Sequence, residues 1–190
     1  MNGLAAAFGG VRRALEAAEV RYAIGGSWAS TTHGEPRQTN DIDLIATFTA
    51  DNLDPFLNAL GDDYYVDRDT AHDALRRSRS FNVIHRHLAF KFDLFPANSP
   101  HTMAQVERSR AVLVLELDEA PVPIVSAEDI VIAKLEWYRA GGGISERQWC
   151  DILGVLRAEG DRLGSAYLDT WANRLGLQEL YERARLEAEN

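Results

Sequence analysis

The sequence predicts an α/β (α+β) fold, in which a mixed sheet is flanked by helices and followed by a helical C-terminal region. Short alternating or continuous apolar runs are typical of strands, whereas apolar residues spaced three and four apart predict helices. Both patterns are present up to residue 125, and only the helical pattern is present after it. We therefore expect an α/β core over residues 1–125, with a helical region over residues 126–190 packed on that core.

The core is predicted to begin with a helix and a strand. Leu4, Phe8 and Val11 follow one another at spacings of four and three within residues 3–18, with Asn2 as a candidate cap. The apolar run from Tyr22 to Ile24 predicts the first strand. Further helices are expected around residues 27–32, 53–60, 70–77 and 101–109, and further strands around residues 41–46, 81–86, 88–95, 111–117 and 122–125, with a turn at residues 118–121.

Helix start and stop signals organise the chain after residue 125. Ser126 is followed by acidic residues in the next turn, an arrangement typical of a helix N-terminus, and three glycines end that helix at residues 141–143. Ser145 is the predicted cap of the next helix. Two more helices are expected over residues 167–175 and 177–187.

The bulk composition is that of an ordinary globular protein, with 46% hydrophobic and 26% charged residues among 190. No run approaches the roughly 18 apolar residues of a membrane-spanning helix, so no membrane partner is expected. The one cysteine, Cys150, cannot form an internal disulfide, which fits a cytoplasmic location, and we expect it to be a packed thiol. The formal net charge of −9 gives the surface as a whole no attraction to nucleic acid.

The first candidate site is the turn Gly25–Gly26–Ser27, which follows an apolar run. Glycines allow backbone angles that other residues avoid, and they let a ligand approach the main chain closely. A helix that begins at Ser27 would direct free N–H groups at an anion above the turn. The alternative is a plain tight turn.

The second candidate site is the pair Asp41 and Asp43. If residues 41–46 form a strand, both side chains lie on one face, with Ile42 and Leu44 on the other. Two adjacent carboxylates repel each other unless a cation joins them, and Mg²⁺ prefers oxygen ligands of this kind. The alternative is a surface strand that carries two acids.

Asp93 is a single carboxylate in an otherwise apolar strand, on the face that also carries Lys91. Such a position is costly unless the charge is paired. Asp93 is therefore either a third member of the metal site or the partner of Lys91 or of an arginine.

The combination of Gly-Gly-Ser, Asp-x-Asp on a strand and a later carboxylate resembles the polymerase-beta-like nucleotidyltransferase superfamily over residues 20–95. The run from Arg37 through Thr39 to Asp43 is similar to the AbiEii-like group, the toxin half of type IV abortive-infection toxin–antitoxin pairs. Residues 129–134 and 147–152 are similar to the helical motifs of that group. The resemblance implies a nucleotidyltransferase-like sheet and the transfer of a nucleoside monophosphate from an NTP, such as ATP, to a hydroxyl acceptor.

The resemblance also implies roles for individual residues. Asp41, Asp43 and Asp93 are the expected ligands of Mg²⁺, with two ions expected and Mn²⁺ as a substitute, and Asp93 is alternatively the proton acceptor. These three acids and Lys134, which would reach the triphosphate, are the predicted catalytic residues. The predicted nucleotide-binding residues are Gly25, Gly26, Ser27, Arg37, Thr39, Lys134 and Asp151.

Simpler explanations stay open for two of these residues. Lys134 is alternatively exposed or paired with Glu128 or Asp129, and Asp151 is alternatively the ion-pair partner of Lys134 itself.

Several acceptors and partners are compatible with the resemblance. The acceptor is a tRNA, a protein or a small molecule such as an aminoglycoside, and a toxin role implies an antitoxin partner. The competing class is a non-catalytic nucleotide-binding or regulatory module.

Overall fold

The computed structural model describes residues 3–39, 41–117 and 120–189. The predicted cap Asn2 and two residues of the predicted turn, Asp118 and Glu119, lie outside these ranges. The described helices are α1 (Gly3–Ala17), α2 (Gly26–His33), α3 (Ala50–Ala59), α4 (Arg68–Arg77), α5 (Pro100–Arg108), α6 (Ala127–Ala140), α7 (Glu146–Glu159), α8 (Ser165–Arg174) and α9 (Gln178–Ala188). The described strands are β1 (Tyr22–Ile24), β2 (Asp41–Ala46), β3 (Tyr64–Tyr65), β4 (Phe81–His85), β5 (Lys91–Pro96), β6 (Arg110–Val112) and β7 (Val122–Ile124).

The strands form one seven-stranded sheet in the order β3-β4-β5-β2-β1-β7-β6. β2 is parallel to β5 and β1 is parallel to β7, whereas the other neighbouring pairs are antiparallel. The predicted α/β (α+β) class with a mixed sheet and a helical C-terminal region is confirmed.

One face of the central strands is fully buried. Ile42 and Leu44 of β2 and Phe92 and Leu94 of β5 have no exposed surface. Burial of each such side chain stabilises the fold by about 1.5–3 kcal/mol. The central strand pair is thereby fixed in the core, and its alternate residues face away from these side chains.

Contacts divide the chain into two compact units, Met1–Ile24 with Asn40–Ile124, and Gly25–Thr39 with Val125–Asn190. All seven strands belong to the first unit, and α2 packs against α6 and α7 in the second. The division into an α/β core over residues 1–125 and a helical region over residues 126–190 packed on that core stays a prediction. By contacts, however, residues 25–39 group with the C-terminal helices rather than with the sheet.

The strand ends differ from the sequence prediction at the sheet edges. β6 ends at Val112, although the apolar alternation continues to residue 117, and Leu113 and Leu115 are 55% and 69% exposed. β6 is an edge strand that pairs with β7, a strand of three residues, so the ladder stops where its partner stops. The two-residue strand β3 was not predicted because it is too short for a periodic pattern.

The expectation of a packed thiol at Cys150 is wrong, because this residue is exposed. It lies on the outer side of α7, whereas Trp149 and Ile152 of the same helix are buried.

None of the helices in the described ranges has the length and apolar character that a membrane crossing requires.

Candidate active site

The parallel register of β2 and β5 gathers four charged side chains on one sheet face. Asp43 stands opposite Asp93, and Asp41 stands opposite Lys91. Residues two apart on a strand share a face, and partners in register do so as well. We call these four residues the acidic cluster. The sequence predicted the shared face within each strand, and the structure adds the register between them.

The acidic cluster is accessible to solvent. Asp41 is exposed and Asp43 is half-buried, whereas the Asp93 side chain is 17% exposed. This accessibility increases from Asp93 towards the start of β2, so a ligand can approach the carboxylates from the side of Asp41.

Lys91 is the cation of the acidic cluster. Its Nζ lies 3.0 Å from Asp93 Oδ2 and 3.5 Å from Asp41 Oδ2. The hydrogen bond to Asp93 is the main reason that the pKa of Lys91 is raised, and the nearby negative charges of Asp93 and Asp41 act in the same direction. The contact with Asp93 is one of the two alternatives that the sequence left open for this acid. The contact with Asp41 was not foreseen.

The three carboxylates of the acidic cluster are the type of ligand that binds a divalent cation. Three carboxylates on one accessible face offer the hard oxygen ligands that Mg²⁺ prefers. In the described ranges, no three His, Cys, Asp or Glu side chains are arranged closely enough to hold an ion. The present side-chain arrangement instead places the Lys91 ammonium in contact with two of the three carboxylates.

The glycine turn lies in the second unit, where it opens α2. Gly26 has φ +52°, in the left-handed region that favours glycine, and it is the first residue of the helix, one position before the predicted start. The first N–H groups of a helix have no acceptor within the helix. Ser27 Oγ accepts a hydrogen bond from Arg37 Nη2. The turn and Arg37, both predicted to bind nucleotide, are therefore in contact.

Arg37, Lys134 and Asp151 form what we call the cationic cluster. Arg37 donates to Asp151 through Nε at 2.8 Å and through Nη2 at 2.9 Å. Lys134 Nζ donates to Asp151 Oδ2 at 2.7 Å and to Gln148 Oε1 at 3.0 Å. The structure thus connects three of the predicted nucleotide-binding residues directly.

The cationic cluster is largely buried. Side-chain exposure is 4% for Lys134, 8% for Asp151 and 24% for Arg37. Burial by itself raises the pKa of Asp151, but the hydrogen bonds and charges of Arg37 and Lys134 outweigh it, so the pKa of this carboxyl is lowered. Arg37 and Lys134 thus both pair with the one carboxylate of Asp151.

The alternatives for Lys134 can be compared with the geometry. Its ammonium pairs with Asp151 and is buried, so Lys134 is not an exposed residue of α6. Asp129 accepts from Ser126 Oγ at 2.7 Å and from Tyr167 OH at 2.5 Å. Glu128 accepts from the Gly164 N–H at 3.0 Å. Asp129 therefore contacts the cap of α6, and both acids also contact the start of α8.

Two glycines bring Arg37 to Asp151. A Cβ on Gly34 would lie 2.8 Å from the Val155 nitrogen and 2.9 Å from the Gly154 carbonyl carbon. A Cβ on Gly154 would lie 3.4 Å from the Glu35 nitrogen. The loop after α2 therefore runs against the backbone of α7, one turn beyond Asp151.

Sequence reasoning missed Gly34, Gly154 and Gln148. Gly34 indicated only a loop, and the spacing of three between Gln148 and Asp151 on one helix was the available signal for the third. Thr39, the remaining predicted site residue, is partly buried in the loop before β2.

No family model matches the sequence, and no curated protein matches it. Solved structures do share its fold. The antibiotic-resistance factor ANT(2'')-Ia superposes with a TM-score of 0.55 at 14% identity, over 94% of this chain and 96% of that one. An antigenic nucleotidyltransferase-like protein from Paracoccidioides brasiliensis gives 0.54 at 17% identity, over 99% and 94%. The lincomycin-bound lincosamide adenylyltransferase LnuA gives 0.50 at 16%, over 79% and 94%.

This likeness extends over most of each chain, and it concerns the fold alone. The closer resemblance to the abortive-infection toxin group stays a prediction. The chain therefore has the fold of these nucleotidyltransferase structures, as its glycine turn and its three strand carboxylates predict.

Proposed function

We propose that this protein is an Mg²⁺-dependent nucleotidyltransferase that moves a nucleoside monophosphate from an NTP to a hydroxyl acceptor. The observation that carries the proposal is the register of Asp43 with Asp93 beside Asp41 on one accessible face. A fold shared with three structures described as resistance factor, nucleotidyltransferase-like protein and adenylyltransferase supports it.

The acidic cluster is the proposed metal site. Asp41, Asp43 and Asp93 hold the cation, which when bound supplies neutralisation of the charge on the phosphate oxygens. The acceptor oxygen attacks the α-phosphorus and forms a new bond to it. The bond between the α-phosphorus and the bridging oxygen of the pyrophosphate breaks, and pyrophosphate leaves. The hydroxyl proton needs a base, and Asp93 is the proposed proton acceptor.

The cationic cluster and the glycine turn are the proposed triphosphate site. Arg37 donates to Ser27 at the start of α2, and together with Lys134 it provides two cationic groups that can attract an anion. The free N–H groups at the start of α2 also favour an anion, because helix N-termini attract phosphate. Asp151 orients both cations, while Ser27 and Thr39 complete the proposed set with their hydroxyls.

Transfer of label tests the catalytic claim. Each α-³²P NTP is incubated with Mg²⁺ and a set of acceptors, using wild type, Asp43→Asn and Asp93→Asn. We expect transfer by wild type and a loss of about a hundred- to a thousandfold in Asp43→Asn, the size typical of removing one charge-stabilising group. Asp73→Asn, which removes a partly exposed acid of α4, is the matched control and should keep full activity.

Two results would contradict the proposal. One is no transfer from any NTP to any acceptor. The other is equal transfer by wild type and Asp43→Asn. Tight NTP binding that needs no Mg²⁺ and gives no turnover in calorimetry would instead favour the non-catalytic nucleotide-binding module.

We propose small-molecule antibiotics as the first acceptor class to examine, with ATP as the first donor. The observation that favours them is the likeness to ANT(2'')-Ia and to LnuA, which are described as an antibiotic-resistance factor and as a lincosamide adenylyltransferase. An aminoglycoside and lincomycin are therefore tested beside tRNA and cell protein. Growth protection by the expressed protein against either drug would support this class.

A toxin role with an antitoxin partner is the second proposed assignment, and it rests on the similarity of residues 37–43 to the abortive-infection toxin group. It predicts the opposite cellular result. Expression alone should arrest growth, and Asp43→Asn should relieve the arrest.

A further inference from the structure

Lysine is rare in this chain, and both lysines lie in the candidate clusters. Of 20 basic residues, only Lys91 and Lys134 are lysines, and the remaining 18 are arginines. Lys134 contributes to the buried cationic cluster, whereas Lys91 is the cation of the accessible acidic cluster. The acidic cluster therefore contains one of the two lysines in the sequence.

The two cation types differ in how firmly they hold a carboxylate. Arginine binds a carboxylate through a rigid two-pronged contact, as Arg37 does with Asp151. Lysine presents a compact charge on a flexible stem. The Lys91 side chain is 37% exposed, so its ammonium can leave the carboxylates for water without unfolding any element.

The position of Lys91 is incompatible with a second cation at the same oxygens. Its Nζ contacts one oxygen each of Asp93 and Asp41, two of the three proposed ligands. Two positive charges a few ångströms apart repel strongly. A divalent ion at these carboxylates must therefore displace the ammonium.

We infer that Lys91 is the resident counter-ion of the acidic cluster and that a divalent cation binds there only by displacing its ammonium from Asp93 and Asp41. The inference rests on the proposed metal site and adds a regulation to it. In the metal-free protein, Lys91 reduces the repulsion among the carboxylates. Because it competes for the same oxygens, it also weakens the affinity for free metal.

Mn²⁺ affinity tests this competition without any measurement of activity. Free Mn²⁺ is followed by electron paramagnetic resonance in titrations of wild type, Lys91→Met, Lys91→Arg and Asp43→Asn. We expect Lys91→Met to bind Mn²⁺ about tenfold more tightly than wild type, because the competing cation is gone. Arg79→Gln removes an exposed charge of the same unit and should change the affinity less than twofold.

The outcomes separate the inference from the proposed function. An affinity of Lys91→Met equal to or weaker than that of wild type overturns the inference while the metal site stands. Absence of Mn²⁺ binding in wild type and in Lys91→Met overturns the metal site itself.

A second measurement uses the wild-type chain and follows the displacement directly. Reductive ¹³C-methylation labels only the two lysines and the amino terminus, and the Lys91 signal is identified by its loss in Lys91→Arg. We expect Mg²⁺ to move the Lys91 signal away from its metal-free position, in the direction in which Asp93→Asn moves it, and the midpoint of this change should coincide with that of metal binding. A Lys91 signal that stays fixed while the protein saturates with metal overturns the inference.

Discussion

The acidic cluster and the cationic cluster each contain a lysine–aspartate pair, but they differ in charge balance and in exposure. In the first, Lys91 pairs with two acids, and its Nζ lies 3.0 Å from Asp93 and 3.5 Å from Asp41. In the second, one acid is shared by two cations, and Lys134 Nζ lies 2.7 Å from Asp151. The lysine side chains are 37% and 4% exposed, respectively.

This difference separates an exchangeable pair from a structural one. An exposed pair is screened by water and salt and contributes little to stability. A buried pair has lost its hydration, and it persists only because its partners satisfy each other. The same chemical contact therefore suits ligand exchange in the acidic cluster and fixed positioning in the cationic cluster.

The largest expected effect comes from breaking the buried cluster at its shared acid. Asp151→Asn removes the carboxylate that Arg37 and Lys134 share, and we expect the free energy of unfolding to fall by about 3 kcal/mol at pH 7. Urea denaturation measures the loss. Asp169→Asn, at an exposed position of α8, is the control and should change stability by less than about 0.5 kcal/mol. A loss as small as that of the control would show that the cluster is not structural.

The stabilities of wild type and Asp151→Asn should converge at low pH. Because the pKa of Asp151 is lowered in the folded state, its contribution is complete above the ordinary carboxyl pKa of about 3.9 and is lost as pH falls through the folded value. We expect the stability difference between wild type and Asp151→Asn to be constant from pH 7 to pH 5 and to shrink below pH 4. Denaturation at a series of pH values measures it, and a difference that grows on acidification would contradict the assignment.

The next effect comes from separating the two sides of the cationic cluster at Gly34. A methyl group there meets backbone atoms at 2.8–2.9 Å, so Gly34→Ala should cost about 2 kcal/mol, typical of overpacking. Gly9→Ala is the control, because its Cβ would meet only the end of the long Arg13 side chain, at 3.4 Å, and an alanine within α1 should stabilise the helix. ATP binding by Gly34→Ala should weaken as Arg37 shifts, and unchanged stability would refute the close approach.

The smallest expected effect is the difference in stability loss between the two lysine variants. Lys134→Met removes a buried, charged hydrogen-bond donor and should cost about 2 kcal/mol, whereas Lys91→Met should cost less than about 1 kcal/mol. Added salt should reduce the Lys91→Met effect further, while leaving that of Lys134→Met nearly unchanged. Equal losses in the two variants would remove the distinction between exchangeable and structural pairs.

Local patterns in the sequence predicted most of the acidic cluster. Alternation along β2 and β5 places Asp41, Asp43 and Asp93 on the polar faces of their strands, and the buried faces confirm this pattern. The register of the strands was not predictable, because a parallel pair between distant segments is set by the packing of the whole sheet.

The contacts of the cationic cluster, by contrast, could not be predicted from local patterns in the sequence. Sequence reasoning left the pairing of Lys134 with Asp151 open, and it did not join Arg37 to Asp151 at all. These last two residues are separated by 114 positions, and no local period connects a loop to a helix over that distance. For a related reason, β3 was not predicted and β6 was predicted to be too long. Strands of two or three residues are too short to show an alternating pattern in the sequence.

The grouping of residues 25–39 with the C-terminal helices has a consequence for synthesis on the ribosome. β1 and β2 are sheet neighbours and emerge early, but α2, which lies between them in the chain, packs against α6 and α7. A nascent chain that ends before residue 127 therefore carries α2 without either helix that covers it. Contacts of such long separation form slowly, so the nascent chain should depend on chaperones until α7 has left the exit tunnel.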